Sequence, residues 1–167
     1  MLKFYEVNGD YIKYLRENGD SKIPLVDYKN HKKFFCGIVY TINNFNYFVP
    51  VSSYNKKVHT NFIIKDKTKD NKIKAISSLR FSFMFPCPNE LLSIKDFSKE
   101  DEKYQNLLRK ELKYCNKNEN KIKKQAAEVY KLGINEKTRT KFNICDFKKL
   151  ELKCLEYLSR INISENL

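Results

Sequence analysis

Short apolar runs separated by polar turns dominate the first half of the chain, and this pattern predicts β-strands. The runs lie at residues 2–7, 34–40, 45–51, 62–64, 73–76 and 79–85. One amphipathic helix interrupts them: it starts near Asp10, which we take as its N-cap, and ends at the Asn-Gly pair 18–19. The polar residues 18–33, which include Pro24, predict a loop.

A hairpin is predicted where Asn43 and Asn44 separate two apolar runs, because asparagine tolerates the positive φ angles of tight turns. Its second strand reaches Pro50, which has no backbone N–H to donate. We therefore expect pairing to end just beyond it, at residues 51–53. Residues 54–60 then form a basic loop, and residues 65–72 a lysine-rich turn.

The hydrophobic period changes to that of helices in the second half. Three groups show it: Tyr104, Leu107, Leu108 and Leu112; Ile122, Ala126, Val129 and Tyr130; Phe147, Leu150, Cys154, Leu158 and Ile161. Ser98 and Asp101 resemble a capping box before the first helix. Residues 116–120 separate the first helix from the second, which Gly133 is expected to terminate, and the third spans about 146–161.

These elements predict an α+β fold in which a compact, highly curved antiparallel sheet or small barrel carries one N-terminal and several C-terminal helices. A chain of 167 residues is long enough for one sizeable core. We expect a single domain over residues 1–167, with a mainly β core at about 1–88 and a mainly helical elaboration at about 89–167.

The charge balance points to nucleic acid as a partner. Lys and Arg number 33 against 20 Asp and Glu, a formal net charge of +13. Acidic proteins and anionic membranes would also suit a basic surface. Eleven Tyr and twelve Phe add rings that can stack on unpaired bases, although core packing accounts for most of them. Nucleic acid is therefore the first partner to consider.

The reactive residue types limit the chemistry. Five cysteines with no paired short spacing lie mostly in apolar runs, which indicates buried thiols in a reducing compartment. With two histidines and no carboxylate cluster, no zinc or two-metal site is predicted, and no cofactor is expected. Since the N-terminus lacks an apolar signal core and no stretch suits a membrane span, we expect a cytoplasmic protein.

Two basic segments are expected to converge on one sheet edge. Residues 50–59 place two serines, two lysines and a histidine where a strand gives way to a loop, and residues 28–33 precede the strand paired with it. In an antiparallel hairpin the start of one strand lies beside the end of its partner. Tyr28 and Lys33 should thus approach Ser53, Lys56 and Lys57. Either segment alone would read as an ordinary solvated turn.

The same segments carry a family resemblance. It rests on Lys3 to Val7 with the helix at 11–15, the strand at 33–39, the run Tyr-Phe-Val-Pro-Val-Ser-Ser at 47–53, and Leu-Arg-Phe-Ser-Phe-Met-Phe-Pro at 79–86. Together these resemble the ToxN/AbiQ family, the toxins of type III toxin–antitoxin and phage-abortive systems. The likeness runs in order from about residue 3 to 88 and continues in the helical layout to near 160.

The resemblance implies an SH3-like small barrel related to the Kid and CcdB toxins. It further implies a metal-independent endoribonuclease that cuts single-stranded RNA and leaves a 2′,3′-cyclic phosphate. Such toxins are inhibited by a repeated pseudoknot antitoxin RNA, which lies in a basic groove and forms closed rings with the toxin, commonly three of each.

Carried over by position, the key active-site serine of the family is Ser53, and Ser52 precedes it. The family lysine before the Gly-Ile-Val strand falls on Lys33, and a family tyrosine maps to Tyr28. This chain departs from the family's Pro-Lys after the serine pair. This departure leaves open whether Lys56 or Lys57 supplies the catalytic ammonium, and whether His59 points inward.

The candidate catalytic residues are thus Ser53, Lys33, Lys56, Lys57, Tyr28 and His59. The candidate RNA-binding residues are Ser52, Lys29, Lys32, Tyr54, Arg80, Lys121, Lys123 and Lys124, each of which would otherwise be an ordinary solvated side chain. Ser53 would bind the scissile phosphate or the 2′-OH, the lysines would neutralise developing charge, and Tyr28 or His59 would orient or exchange protons.

Two other function classes remain open at this point. One is a non-catalytic, CcdB-like inhibitor that binds a protein target, since the fold alone does not separate inhibitor from enzyme. The other is an RNA-binding module without turnover. Salt-insensitive binding to a protein would favour the first, and RNA affinity without cleaved product would favour the second.

Overall fold

A computed structural model describes residues 1–28 and 31–166, and within them antiparallel strands combine with α-helices. The strands are β1 (Lys3–Val7), β2 (Asp27–Tyr28), β3 (His31–Lys32), β4 (Phe35–Ile42), β5 (Phe45–Ser52), β6 (Asn61–Lys67), β7 (Ile73–Arg80), β8 (Phe85–Pro86) and β9 (Leu92–Ile94). The helices are α1 (Gly9–Asn18), α2 (Glu102–Lys117), α3 (Glu119–Ile134), α4 (Glu136–Phe142) and α5 (Phe147–Glu165). The predicted mixture of helices with an antiparallel sheet is confirmed.

The main sheet has the order β6-β7-β5-β4-β1-β9, with β8 paired to β5 off this path, and its neighbours are antiparallel. Strands β2 and β3 form a separate small ladder. That ladder lies within residues 18–33, for which we predicted only a loop. Strand β9 comes from the mainly helical half of the chain and completes the sheet beside β1.

The hairpin between β4 and β5 forms as predicted. Asn43 and Asn44 have φ angles of 49° and 66°, the left-handed conformation that asparagine tolerates. Beyond the turn, pairing continues as far as Phe35 opposite Pro50. Local turn chemistry and strand periodicity are therefore enough to fix this part of the fold.

Two predicted helix starts are displaced. Helix α1 is capped by Asn8, whose Oδ1 accepts a hydrogen bond from Tyr11 N at 3.1 Å, so Asp10 lies in the first turn instead of at the cap. Helix α2 is capped by Asp101, whose Oδ1 accepts from Tyr104 N at 3.0 Å. Ser98 belongs to a preceding 3₁₀ turn. In both helices the side-chain oxygen of the N-cap residue accepts a hydrogen bond from the backbone N–H three residues later.

The two apolar runs at 73–76 and 79–85 do not form two strands. Strand β7 includes the first run, the polar pair Ser77 and Ser78, and Leu79; the chain then enters a 3₁₀ turn, Phe81–Phe83, before β8. Both serines are buried within the folded protein, and Ser78 Oγ donates to Tyr54 O at 2.5 Å. Helix α4, which we did not predict, is capped by Asn135.

Gly133 lies inside α3 and does not terminate it. Helix α3 continues to Ile134, and Gly133 is buried against α5. A Cβ atom at this position would lie 2.4 Å from Phe147 Cε2 and 2.9 Å from Ile144 Cγ2. The glycine is therefore required by close packing of the helices, not by a left-handed backbone.

Replacing Gly133 with Ala should lower the free energy of unfolding by about 1–3 kcal/mol because the added methyl overpacks the contact with Phe147. Helix propensity alone would change stability in the opposite direction, by about 1 kcal/mol. Gly9→Ala in the first turn of α1 is the matched control, since its Cβ meets nothing within 4 Å. Urea denaturation of both variants and of the unmodified protein measures these changes. A Gly133→Ala protein as stable as the unmodified protein would contradict the packing argument.

The helices are joined to the sheet through a buried carboxylate. Glu151 on α5 accepts hydrogen bonds from Tyr47 OH at 2.8 Å and from Tyr130 OH at 2.7 Å.

Within residues 1–28 and 31–166, all five cysteines are buried free thiols. In the same part of the chain no helix is both long and apolar enough to cross a membrane.

Candidate active site

The site is built around a change of partner in β5. Up to Pro50 this strand pairs with β4, and its last residues then pair with β7 in the register Val51 to Leu79 and Ser52 to Ser78. The end of β5 is thus held by β7, and a hydrogen bond from Val51 N to Phe34 O at 3.2 Å ties it to the residue that precedes β4. These backbone contacts fix the position from which Ser53 leaves the sheet.

A cavity of about 610 Å³ lies against this strand end. Its walls come from the end of α1, the residues around β3, the end of β5, the middle of β7 and helix α2: Arg16, Pro24, Leu25, His31, Lys32, Lys33, Phe34, Val51, Ser52, Ser53, Ile76, Ser77, Tyr104, Leu107 and Glu111. The predicted convergence of Lys33 with the serine pair therefore occurs in the structure.

Lys33 is the most perturbed of the candidate catalytic side chains. Its Nζ donates a hydrogen bond to the backbone oxygen of Val51 at 2.8 Å. Burial, with a smaller effect from the Arg80 charge, lowers the pKa of Lys33 to about 8. At neutral pH, a measurable fraction of this amine is therefore neutral and can accept a proton.

The two serines differ in their local bonding. Ser52 Oγ accepts a hydrogen bond from Tyr54 N at 3.2 Å and so shapes the turn that follows β5. Ser53 is exposed at the cavity. Within residues 1–28 and 31–166 its hydroxyl makes no hydrogen bond to another protein group. It can therefore bind a ligand at the cavity wall.

Asn61 organises the basic loop that follows the serines. Its Nδ2 donates to Lys56 O at 2.9 Å, and its Oδ1 accepts from Val58 N at 3.0 Å. Lys57 Nζ donates to the backbone oxygen of Asn61, and burial lowers the pKa of Lys57. Lys56 is exposed. Neither lysine lines the cavity, so both lie beside it instead of within it.

His59 does not point into the cavity. Its ring is exposed and stacks on Phe142 of α4, with ring centroids 4.6 Å apart and an angle of 17° between the planes. Thus the question that the sequence left open is answered by a helix that we did not predict. A stacked histidine beside a basic loop suits contact with an RNA base better than proton transfer in the cavity.

The segment before β4 is described only in part. Lys29 lies outside the described residues. Of Tyr28 only the backbone is described, and it pairs with His31. Lys32 lines the cavity beside Lys33. The predicted roles of Tyr28 and Lys29 remain predictions.

Arg80 lies near the serine turn. Its guanidinium carbon is 4.7 Å from the ring centroid of Tyr54 and 4.8 Å from that of Phe83. Burial lowers the pKa of this guanidinium, which nonetheless stays charged at any physiological pH. Arg80 and Tyr54 together offer a charge and a stacking ring beside the cavity.

The three lysines predicted on α3 are separated by the structure. Gln125 places this helix beside the basic loop, since its Nε2 donates to Asn61 O at 2.8 Å. Lys121 lies one turn before Gln125 on the same helix face, and Lys124 is also exposed. Lys123 instead pairs with Glu119 at 2.7 Å and lines a different cavity, beside Tyr40. Lys123 is therefore not brought to this site.

The cavity residues missed from the sequence include His31, Tyr104 and Glu111. His31 and Tyr104 stack with ring centroids 4.2 Å apart, which holds the β2–β3 ladder against α2. Glu111 is a buried carboxylate on α2. In the sequence it falls between Leu108 and Cys115, on the helix face that is otherwise apolar. A glutamate at such a position is unusual, and this could have identified Glu111 from the sequence.

The chain matches known proteins over nearly its whole length. It matches the model of a family described as Toxin ToxN, type III toxin–antitoxin system, over residues 3–154. It is 33% identical to Endoribonuclease ToxN of Bacillus thuringiensis subsp. kurstaki, covering 98% of this chain and 88% of the relative. With Endoribonuclease AbiQ of Lactococcus lactis subsp. lactis the identity is 32%, over 93% of this chain and 89% of the relative.

Solved structures agree with these matches. One, described as showing selective toxin inhibition by a non-coding RNA pseudoknot, has a TM-score of 0.78 at 31% identity, covering 93% of this chain and 97% of the other. A structure of AbiQ, described as a lactococcal anti-phage endoribonuclease, has a TM-score of 0.79 at 29% identity, covering 95% and 99%.

Proposed function

This chain belongs to the ToxN toxin family of type III toxin–antitoxin systems and is an endoribonuclease, and from that premise we propose how it cuts RNA. The ribose 2′-OH of a single-stranded substrate attacks the adjacent phosphate. The products carry a 2′,3′-cyclic phosphate and a 5′-OH, and no metal ion takes part. One observation carries the proposal: Lys33, with a pKa of about 8, shares a cavity with Ser52 and Ser53.

Lys33 acts as the base in this mechanism. Its neutral amine can keep donating to Val51 O while its lone pair accepts the 2′-OH proton. Lys56 is exposed and Lys57 is tied to Asn61 O beside the cavity, so each is less suited to this step. We assign to these two lysines, and to Lys32, the neutralisation of charge on the RNA backbone.

Ser53 stabilises the reacting phosphate in this mechanism. Its exposed hydroxyl lies at the cavity wall and can donate a hydrogen bond to a non-bridging oxygen as negative charge develops there. The serine therefore forms no covalent intermediate, because the nucleophile belongs to the RNA. Tyr28 remains our candidate for protonating the leaving 5′ oxygen.

Inhibition is proposed to follow the family pattern. A repeated pseudoknot antitoxin RNA would lie on the basic surface that includes Lys121, Lys124 and the Arg80–Tyr54 pair, and His59 would stack on an RNA base. A net charge of +13 supports binding to a polyanion. Toxin and RNA would close into rings, with three of each as the expected assembly, and the complex would act in the cytoplasm in phage defence.

A finer description of the sheet belongs with these proposals. We infer that the change of partner along β5, which pairs first with β4 and then with β7, corresponds to the SH3-like small barrel of Kid and CcdB. In CcdB-like inhibitors such a barrel binds a protein target. The cavity with its perturbed lysine favours the nuclease here.

The test is to incubate the purified, antitoxin-free protein with a mixed RNA in EDTA and to determine the chemistry of the new ends. We expect cleavage with cyclic-phosphate and 5′-hydroxyl ends. Intact RNA across varied substrates would overturn the proposal and favour the protein-binding inhibitor. RNA binding without cleavage would instead support the non-cleaving module. Products with 5′-phosphate ends would rule out attack by the 2′-OH.

A further inference from the structure

The cavity extends beyond the serines towards an unusual carboxyl group. Its wall opposite the end of β5 comes from α2, where Tyr104 and Leu107 are followed by Glu111. Ile76 and Phe34 add further apolar surface. The volume of about 610 Å³ is larger than a phosphate requires and has room for an unpaired base.

Glu111 is buried at this wall without a counter-ion. It is 4% exposed, and within residues 1–28 and 31–166 no Lys, Arg or His nitrogen lies within 4.0 Å of its carboxyl. The hydroxyl of Ser77, which also lines the cavity, is buried close to this carboxyl, and in the same part of the chain it makes no hydrogen bond of ordinary length. The two groups therefore face each other at the wall, and a ligand that hydrogen-bonds them would offset the cost of burying them.

Burial raises the pKa of Glu111, while the neighbouring Ser77 hydroxyl opposes that rise by favouring the charged form. In either protonation state the carboxyl keeps at least one oxygen that accepts a hydrogen bond. The mechanism above makes no use of this group.

We propose that this part of the cavity is a nucleobase pocket beside the scissile phosphate, in which Glu111 accepts a hydrogen bond from the exocyclic amino group of the base. The inference rests on the proposed function and deepens it, since it assigns a residue that selects the RNA sequence at the cut. Tyr104 and Leu107 enclose the base, and Ser77 supplies a second polar contact.

The chemistry separates the bases into two classes. Adenine, cytosine and guanine each present an amino group on the Watson–Crick edge, whereas uracil presents a single N3–H between two carbonyl oxygens. Those carbonyl oxygens repel the charged form of Glu111, which is the form that the Ser77 hydroxyl favours. The pocket therefore rejects uracil, and a glutamine in place of Glu111 would remove the rejection because its amide can donate to a carbonyl oxygen.

Binding tests the pocket without depending on cleavage. Short 2′-deoxy oligomers of adenine, cytosine or uracil have no 2′-OH nucleophile, so they report affinity alone. We expect the unmodified protein to bind at least one amino-bearing oligomer about ten- to a hundredfold more tightly than the uracil oligomer. In Glu111→Gln and Glu111→Leu this ratio should fall to within about threefold. An unchanged ratio in both variants would overturn the proposal.

Cleavage of a random-sequence RNA pool gives the second readout. Sequencing the new ends should show uridine depleted at one position next to the cut, and Glu111→Gln should lose that depletion while still cutting. Glu102→Gln, an exposed glutamate on the same helix, is the control and should keep it. A folded Glu111→Gln protein that no longer cuts any RNA would also overturn the proposal, because the residue would then act on rate and not on selection.

The two proposals fail in different ways. If the unmodified protein cuts no RNA but binds the oligomers in a Glu111-dependent manner, the nuclease mechanism fails and the base pocket stands. If it cuts RNA with the same flanking bases in every variant, the mechanism stands and the base pocket fails. The denaturation midpoint of each variant shows that it is folded.

Discussion

Replacing Ser53 with Ala should lower the rate of RNA cleavage about 10²- to 10³-fold, because one hydrogen bond to the charge developing on the phosphate is lost. The protein itself should be little changed. Ser53 is exposed and shapes no turn, so the free energy of unfolding should stay within about 0.5 kcal/mol. Single-turnover cleavage, with excess protein over a labelled RNA, measures the effect on chemistry directly.

Ser52→Ala is the matched control for Ser53→Ala. Its Oγ accepts from Tyr54 N, so the substitution loosens the turn while leaving the exposed Ser53 hydroxyl in place. We expect a loss of cleavage smaller than that of Ser53→Ala by at least about tenfold. Antitoxin-RNA affinity should be similar in both variants. A Ser53→Ala protein that cuts at the normal rate would remove Ser53 from the mechanism.

Replacing Lys33 should have the other large effect. Lys33→Met should lower the cleavage rate about 10²- to 10⁴-fold, as expected for loss of a general base. Lys33→Arg should be nearly as slow, because a guanidinium keeps the positive charge but does not give up its proton near neutral pH. Comparing these two variants separates proton transfer from electrostatic stabilisation.

The pH profile of the unmodified protein follows from the same pKa. Because the neutral amine is the active form and the pKa of Lys33 is lowered to about 8, the rate should rise about tenfold per pH unit below 8 and level off above it. If Lys33 acted only through its charge, the rate would instead fall above pH 8, and Lys33→Arg would stay active. That pair of results would restore the purely electrostatic role expected from the sequence.

The local structure could largely be predicted from the sequence. The Asn43–Asn44 turn, strands β4 and β5 and the apolar stripes of α2, α3 and α5 follow from residue types and their spacing, which act over a few residues. Family membership was also predicted, on the segments around the serine pair, and is confirmed. The meeting of Lys33 with Ser53 followed from hairpin geometry alone.

The errors share a physical cause. Gly133 looked like a helix terminator because glycine favours left-handed caps, yet the approach of Phe147 from another helix is what excludes a side chain. Ser77 and Ser78 broke an apolar run in the sequence but are buried between neighbouring strands in the structure. In each, a contact with a residue distant in the chain outweighed the local preference.

The sequence by itself determined the strand and helix periods, the hairpin turn and the excess of basic residues, because these depend on local chemistry and on composition. Its resemblance to the ToxN/AbiQ family singled out the serine and lysine candidates. Only the tertiary structure decided which of the candidates share a cavity. Burial beside Arg80 sets the pKa of Lys33, Phe142 holds His59 away, and the packing of α2 brings Glu111 to the cavity wall. Desolvation and long-range contacts exist only once the chain has folded, so no local pattern encodes them.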